Sequence, residues 1–453
     1  MATLSATDGG TRRVAGLAMA ILWLLAAWSA WNLRGLYWDG AAFLVEMLRK
    51  QGFHDFYPAR AHVAWLTQAP VLLAIRAGVS DVAALALVWS ACLFALPAGL
   101  YSLALYRCRD APLLLAGLLA ILIAVYLPTS FFIVGEYNVA YALATAVVTV
   151  ALTSRPGRPG DSFVLLVLAA LAVRSYEAMV HLGPLLALVA GWHATRMAGS
   201  TIARAASALA ALGFLAAGAV ALDTLVTYWT HPHFTRVRAA TFDFTENQQF
   251  VLALVALVPI GALALAGGTA RARSVLGLAL AGALLLGLSP WTRYLHELAL
   301  VFAPAHYVAR TAAGALLAGL LVLLCIAEAA ARLDWSMLRA ARAPAAARRL
   351  AAGLGLMFAA ACVPDLYLTT QWSRSLDTMR GLIAGKSGAI AVHDTELVEW
   401  PGKMFVQDWT MPALSRLLHR RHGEALLVMP VADGKPDPYA IGRLPPLDRY
   451  LWR

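Results

Sequence analysis

Long apolar runs separated by short polar segments make up most of the chain. A helix needs about 20 mostly apolar residues to cross a bilayer. The runs cover approximately residues 14–33, 81–105, 112–128, 137–153, 162–174, 182–195, 205–228, 250–270, 274–290, 308–331 and 351–370. This pattern predicts an all-α polytopic membrane protein with about eleven transmembrane helices.

The segment between the first and second runs has a pattern of its own. Residues 40–50 place apolar side chains on one helical face and charged ones on another, which favours a short helix lying in the membrane interface. Residues 61–78 are apolar but interrupted by polar residues and a proline, so a second surface helix fits better than a span. We therefore predict a structured first outer loop, about 34–80, within a transmembrane module, 1–370. The remainder, 371–453, is predicted to form a small outer C-terminal domain or tail.

Composition and charge agree with this interpretation. Hydrophobic residues make up 61% of the 453 positions and charged residues 13%, whereas soluble domains carry roughly 45–50% and 25%. The net charge of +11 does not indicate nucleic-acid binding, because the cations lie in short loops where membrane topology explains them. The four cysteines lie in or beside apolar runs and are interpreted as buried thiols.

The basic residues predict the orientation, since cytoplasmic loops carry an excess of Lys and Arg. Every second short segment is basic, and these segments hold Arg12, Arg13, Arg107, Arg109, Arg155, Arg158, Arg196, Arg204, Arg271 and Arg273. The N-terminus is therefore predicted to be cytoplasmic and the C-terminus periplasmic. Four basic residues of the first outer loop run against the bias: Arg34, Arg49, Lys50 and Arg60.

Two carboxylates at the predicted outer face are candidate catalytic residues. Asp39 directly follows Trp38 at the end of the first run. A partly desolvated carboxylate can have a raised pKa, which suits a general base. Aspartate is also a preferred helix N-cap, so a structural role in starting the 40–50 helix is the alternative. Glu136 lies at the outer end of two apolar runs, where function and a snorkelling carboxylate are both open.

The other candidates are substrate-binding residues of the predicted outer loops. Arg174 and Glu177 stand three residues apart and could pair across one helical turn. The full set is Tyr57, Arg60, Arg174, Glu177, His231, His233, Arg236, Arg238, Arg293 and His296. Arginines such as Arg236 and Arg238 suit phosphate recognition, with lipid headgroup contact as the alternative. The His231–His233 spacing is weak support for metal binding, and no metal or cofactor is predicted. Nucleotide-binding and hydrolase motifs are absent from the sequence.

The order of these features resembles the GT-C glycosyltransferases of the dolichyl-phosphate-mannose and aminoarabinose transferase type. It comprises a first span, an immediate Asp, an interfacial helix, a second surface helix with a proline, and later a carboxylate before YALATA. By this resemblance Asp39 matches the first-loop catalytic carboxylate, Glu136 the acid that starts the fourth span, and Arg174 a basic position after the fifth. Two motifs differ: the usual Asp-Glu pair is Asp39-Gly40, and a His-Pro-Pro-Leu stretch is replaced at 67–70.

The resemblance implies a GT-C-like fold in the bacterial inner membrane. The expected function is transfer of a sugar from a polyprenyl-phosphate donor to a glycan, lipid or protein acceptor at the periplasmic face. Asp39 would be the general base of an inverting reaction, and membrane lipids would be the other partners. The alternative is a non-catalytic lipid-linked glycan transporter or assembly subunit, which predicts mid-membrane charge pairs or broken helices. A third possibility, an O-antigen-ligase-like enzyme, would centre on a large outer loop late in the chain.

Overall fold

The computed structural model describes residues 9–54, 57–130, 136–155, 159–197, 199–231, 303–332, 344–399, 402–406, 410–429 and 447–453. These residues are mostly helical, with one small sheet. By length and composition, five of their helices can cross a membrane: Gly9–Trp31, Val82–Cys108, Glu136–Thr153, Thr201–Thr227 and Ala345–Ile383. The predicted all-α membrane architecture is therefore confirmed at this level.

The helices follow the predicted apolar runs closely. In chain order they are α1 Gly9–Trp31, α2 Asp39–Lys50, α3 Ala61–Arg76, α4 Val82–Cys108, α5 Pro112–Ile121, α6 Leu127–Ser130, α7 Glu136–Thr153, α8 Pro159–Ala172, α9 Met179–Arg196, α10 Thr201–Thr227, α11 Ala303–Arg332, α12 Pro344–Ile383 and α13 Met411–Leu417. A π-helical turn, Leu122–Tyr126, joins α5 to α6. Nine of the eleven predicted runs coincide with helices, and the other two, 250–270 and 274–290, lie outside the described residues.

Helix α7 lies at the centre of the bundle. Apart from Tyr137 and Tyr141, the residues after Glu136 are small or medium-sized, and all but the last residue of the helix are buried. Small side chains allow neighbouring helices to approach closely in a membrane. Helix α7 contacts α4, α8, α9 and α11. The polar residues at its two ends are therefore fixed by the packing of several other helices.

The first outer loop forms the two helices expected of it, α2 and α3. Helix α2 is amphipathic, with nine consecutive residues, Gly40–Leu48, buried against the protein. On and beside α3, Phe53, Trp65, Leu66 and Leu73 are exposed. Exposed aromatic and aliphatic side chains beside charged ones are typical of helices that lie in the interface. The structure thus supports the predicted surface helices.

The C-terminal residues pack against this loop in one shared hydrophobic core. Short parallel strands β1, Ala389–Ala391, and β2, Leu426–Val428, form its sheet. Tyr37 contacts Trp372 and Phe405, with ring centroids 5.3 and 6.0 Å apart. A further bridge joins Asp81 to Leu451. Because the two segments share a core, they lie on the same side of the membrane.

Helix α12 connects the bundle to this shared core without a break at residue 370. It has 40 residues and is therefore about 60 Å long at 1.5 Å per residue. Trp372 is buried, and its indole nitrogen donates to the Leu33 carbonyl at 3.3 Å. The division drawn in the sequence near 370 thus falls inside a continuous helix that belongs to both parts.

Candidate functional site

Asp39 lies at the start of α2, directly after a tightly constrained turn. Trp38, at the N-cap position, has φ 55° and ψ −131°, a combination that side-chain-bearing residues rarely adopt. A Cβ atom on Gly40 would lie 1.8 Å from the Gly35 carbonyl oxygen, so only glycine fits there. The Trp89 indole also donates to that oxygen, at 3.0 Å. Backbone strain of this kind clusters at functional sites, where surrounding packing maintains it.

The alternative role predicted for Asp39 is that of the N-cap of α2. The N-cap position belongs to Trp38, and Asp39 is the first helical residue. A negative charge in the first turn is still favourable, because unpaired backbone N–H groups point towards it. The side chain is half-buried. Its position is therefore compatible with a role in starting the helix and with proton transfer.

Arg60 joins two of the predicted carboxylates in a buried cluster. Its Nε donates to Glu177 Oε1 at 2.8 Å, and its Nη1 donates to Glu136 Oε2 at 3.1 Å. The side chains of Arg60, Glu136 and Glu177 are 9%, 6% and 10% exposed. The guanidinium also lies over the rings of Tyr57 and Tyr176, 4.9 and 5.1 Å from their centroids. We call Arg60, Glu136 and Glu177 the outer cluster.

In the outer cluster, two carboxylates contact one guanidinium. Burial alone would lower the pKa of Arg60, but the charges of Glu177 and Glu136 more than offset it and raise that pKa above its ordinary value. Glu177 Oε2 is buried and has no hydrogen-bond partner among the described residues. A buried carboxylate oxygen without a partner is costly. It is therefore a ready acceptor for a hydroxyl or another donor.

Arg174 does not pair with Glu177, so that expectation is wrong. Arg174 Nε donates to the Pro58 carbonyl at 2.8 Å, and the His62 backbone N–H donates to the Arg174 carbonyl at 3.0 Å. Residues 173–178 form turns, not helix, so a three-residue spacing does not bring side chains together there. Arg174 instead ties the α8–α9 turn to the segment before α3.

The remaining binding candidates are only partly placed. The rings of Tyr57 and Tyr228 lie 5.0 Å apart, and those of Tyr228 and His231 lie 6.4 Å apart. His231 therefore follows α10 and is linked through Tyr228 to Tyr57, the ring that contacts Arg60 of the outer cluster. His233, Arg236, Arg238, Arg293 and His296 lie outside the described residues. Within the described part of the chain, no three potential metal ligands gather at one place.

A second buried ion pair was not predicted from the sequence. Arg34 Nη1 lies 2.7 Å from Asp365 Oδ2 and donates to Thr369 Oγ1 at 2.9 Å. Asp365 comes from α12, within the last predicted span. The signal was available, because an aspartate interrupts an otherwise apolar run there.

All four basic residues that run against the charge bias of the first outer loop have acidic partners. Arg34 pairs with Asp365, and Arg60 with two glutamates. Arg49 and Lys50 lie 2.6 and 3.6 Å from Glu46. Although Glu46 is partly buried, which raises its pKa, the hydrogen bond and charge from Arg49 lower that pKa overall. The basic residues of this loop therefore form ion pairs within the protein.

Comparisons of the chain with protein-family models, with curated proteins and with solved structures find no match.

Proposed function

We propose that this chain is a membrane glycosyltransferase that uses a polyprenyl-phosphate-linked sugar at the outer face. The observation that carries the proposal is the placement of Asp39. It is a half-buried carboxylate eight residues after the end of the first span at Trp31, on a strained turn that starts the amphipathic helix α2. A lipid-linked donor presents its reactive phosphate at this depth, beside the headgroups. A fixed carboxylate there can meet an acceptor from the aqueous side.

The proposed reaction is a single displacement. The acceptor hydroxyl oxygen attacks the anomeric carbon and forms the new glycosidic bond, while its proton passes to Asp39. The bond between the anomeric carbon and the phosphate oxygen breaks, and polyprenyl phosphate leaves with the electron pair. Attack opposite the leaving group inverts the anomeric centre. Asp39 returns its proton to water before the next turnover.

The outer cluster has a positioning role in this proposal. A donor phosphate would have to compete with Glu136 and Glu177 for Arg60, so we assign phosphate binding to other cations. Those are His231 and the outer-loop residues Arg236, Arg238 and Arg293, as the sequence predicts. Glu177 Oε2 remains available to accept a hydrogen bond from a sugar or acceptor hydroxyl.

The test is release of polyprenyl phosphate by the purified full-length protein from a panel of polyprenyl-phosphate sugars. Asp39→Asn should lower the rate at least about 100-fold, since general-base catalysis contributes roughly 10²–10⁴. Glu46→Gln is the matched control, because it removes a carboxylate from the same helix. Equal melting temperatures would show that both variants fold. Near-normal transfer by folded Asp39→Asn would refute the assignment of Asp39.

Two described features are compatible with the transporter alternative. One is the buried Arg34–Asp365 pair, and the other is the π turn Leu122–Tyr126. Arg34 lies just past Trp31, the end of α1, and hence near the boundary of the first span. In liposomes, movement of a labelled lipid-linked sugar between leaflets without release of polyprenyl phosphate, unchanged by Asp39→Asn, would favour a transporter.

A further inference from the structure

A basic cavity lies at the opposite end of α7 from the outer cluster. Its volume is about 400 Å³. The residues that line it are Tyr106, Arg107, Arg109, Asp110, Ala111, Leu114, Leu152, Thr153, Arg155 and Glu328. They come from the ends of α4, α5, α7 and α11 and from adjoining loops. In the sequence these arginines serve only to predict the orientation of the chain.

The three lining arginines differ in how firmly they are engaged. Arg107 makes two 2.8 Å hydrogen bonds to Asp161 and is committed to that partner. Arg109 stacks on Tyr106, 3.8 Å from the ring centroid, which leaves the edge of its guanidinium accessible. Arg155 is exposed and makes no ion pair with any residue in the described part of the chain. Arg109 also lies 3.7 Å from Asp110, so its engagement is intermediate between those of Arg107 and Arg155.

The acidic lining residue Asp110 contacts Arg109 but not Arg155. Asp110 Oδ1 lies 2.6 Å from Arg12 Nε, and its other oxygen is 3.7 Å from Arg109. The hydrogen bond from Arg12 lowers the pKa of Asp110, so this carboxylate is charged and already paired with Arg12. Glu328, the other acidic residue of the lining, is also engaged in an interaction. The charge of Arg155 is therefore left to face the cavity and solvent.

The depth of the cavity indicates the kind of ligand. Helix α7 has 18 residues, so its ends are about 27 Å apart, close to the roughly 30 Å of bilayer hydrocarbon. The cavity therefore lies at headgroup level on the side away from the outer cluster. Its walls combine arginines with Leu114 and Leu152, which suits a group that is anionic at one end and apolar at the other.

We propose that this cavity binds a phosphate-bearing anion through Arg109 and Arg155. Guanidinium groups grip phosphate oxygens through two parallel hydrogen bonds, and basic pockets between membrane helices bind anionic headgroups. The shared chemistry is a phosphate ester. It can come from an anionic phospholipid, whose acyl chains follow Leu114 and Leu152, or from a soluble phosphate compound. The site is separate from the proposed transfer site.

The test measures binding of phosphatidylglycerol to the delipidated full-length protein by native mass spectrometry, with and without inorganic phosphate. Arg109→Ala and Arg155→Ala should each weaken binding about fivefold, the effect of one basic residue near a headgroup. Arg13→Ala is the matched control. It removes an exposed arginine from the same predicted face, outside the cavity.

Each result has a defined meaning. Weaker lipid binding in both cavity variants but not in Arg13→Ala, with no competition by phosphate, supports a phospholipid headgroup. The same pattern with competition by millimolar phosphate supports a soluble phosphate source. Equal binding by all variants, or an equal loss in Arg13→Ala, would overturn the proposal. Arg155 is exposed, so its replacement should leave the melting temperature unchanged.

Discussion

The two ends of α7 differ in the burial and pairing of their charged side chains. At one end Arg60 is enclosed by Glu136 and Glu177, and all three side chains are at most 10% exposed. At the other end arginines are in excess among the described residues, and of their ion pairs there only Arg107–Asp161 is substantially buried, with side chains 16% and 10% exposed. The end at the outer cluster thus holds buried charges. The opposite end presents cations to solvent, as the positive-inside rule expects if that end is cytoplasmic.

The difference shows that burial, more than the number of charges, determines how much an ion pair matters. Exposed pairs contribute roughly 0–1 kcal/mol, because water and salt screen them. Breaking a buried pair costs roughly 3–5 kcal/mol, because a charge is left without compensation. The two ends of α7 therefore predict a graded series of effects on stability.

Arg60→Ala should have the largest effect of the series. It removes the guanidinium that Glu136 and Glu177 both contact, and we expect a loss of about 3–5 kcal/mol in the free energy of unfolding. Unfolding by sodium dodecyl sulfate in mixed micelles, followed by circular dichroism, measures this quantity.

A rescue variant separates charge imbalance from lost packing. Combining Arg60→Met with Glu136→Leu and Glu177→Leu removes all three charges and should recover most of the stability, since well-packed hydrophobic residues of similar volume replace a buried ion pair well. If Arg60→Ala cost less than about 1 kcal/mol, the value typical of exposed pairs, the outer cluster would not be a buried charge centre.

Arg107→Ala should have an intermediate effect. The variant leaves Asp161 Oδ1 and Oδ2 without their 2.8 Å donors, but the pair is more accessible to water than the outer cluster. We expect a loss of about 1–3 kcal/mol, the range for hydrogen bonds to charged groups. Asp161→Asn should cost less, because the amide can still accept one hydrogen bond. The same unfolding assay applies, and a loss equal to that of Arg60→Ala would contradict the contrast between the two ends.

Local patterns in the sequence predicted the helices of the bundle and of the first loop, but not α13 or the extension of α12 to Ile383. The apolar runs predict the bundle because a span must satisfy its backbone hydrogen bonds internally. The helical period of residues 40–50 predicts α2, which the structure confirms as Asp39–Lys50. Both inferences depend on neighbours within a few residues, and such neighbours can be read directly from the sequence.

Contacts between distant residues could not be predicted in this way. Arg60 pairs with residues 76 and 117 positions away, and Arg34 with one 331 positions away. The expected Arg174–Glu177 pair failed because it assumed a helix where the chain turns. The shared core between the first outer loop and the C-terminal residues likewise depends on three-dimensional packing, for which α12 carries no local signal.

Arg12→Ala should have the smallest effect and a characteristic pH dependence. Its pair with Asp110 joins side chains that are 55% and 45% exposed, so the loss should be below about 1 kcal/mol. Because the hydrogen bond from Arg12 lowers the pKa of Asp110 in the folded protein, the pair stabilises above the unfolded pKa of roughly 4. That contribution disappears as the pH falls through the lower folded value. Melting temperatures of the wild type and variant should therefore differ slightly at about pH 7 and converge as the pH falls and Asp110 becomes protonated. A gap that widened towards acid would contradict this prediction, because protonated Asp110 cannot form an ion pair with Arg12.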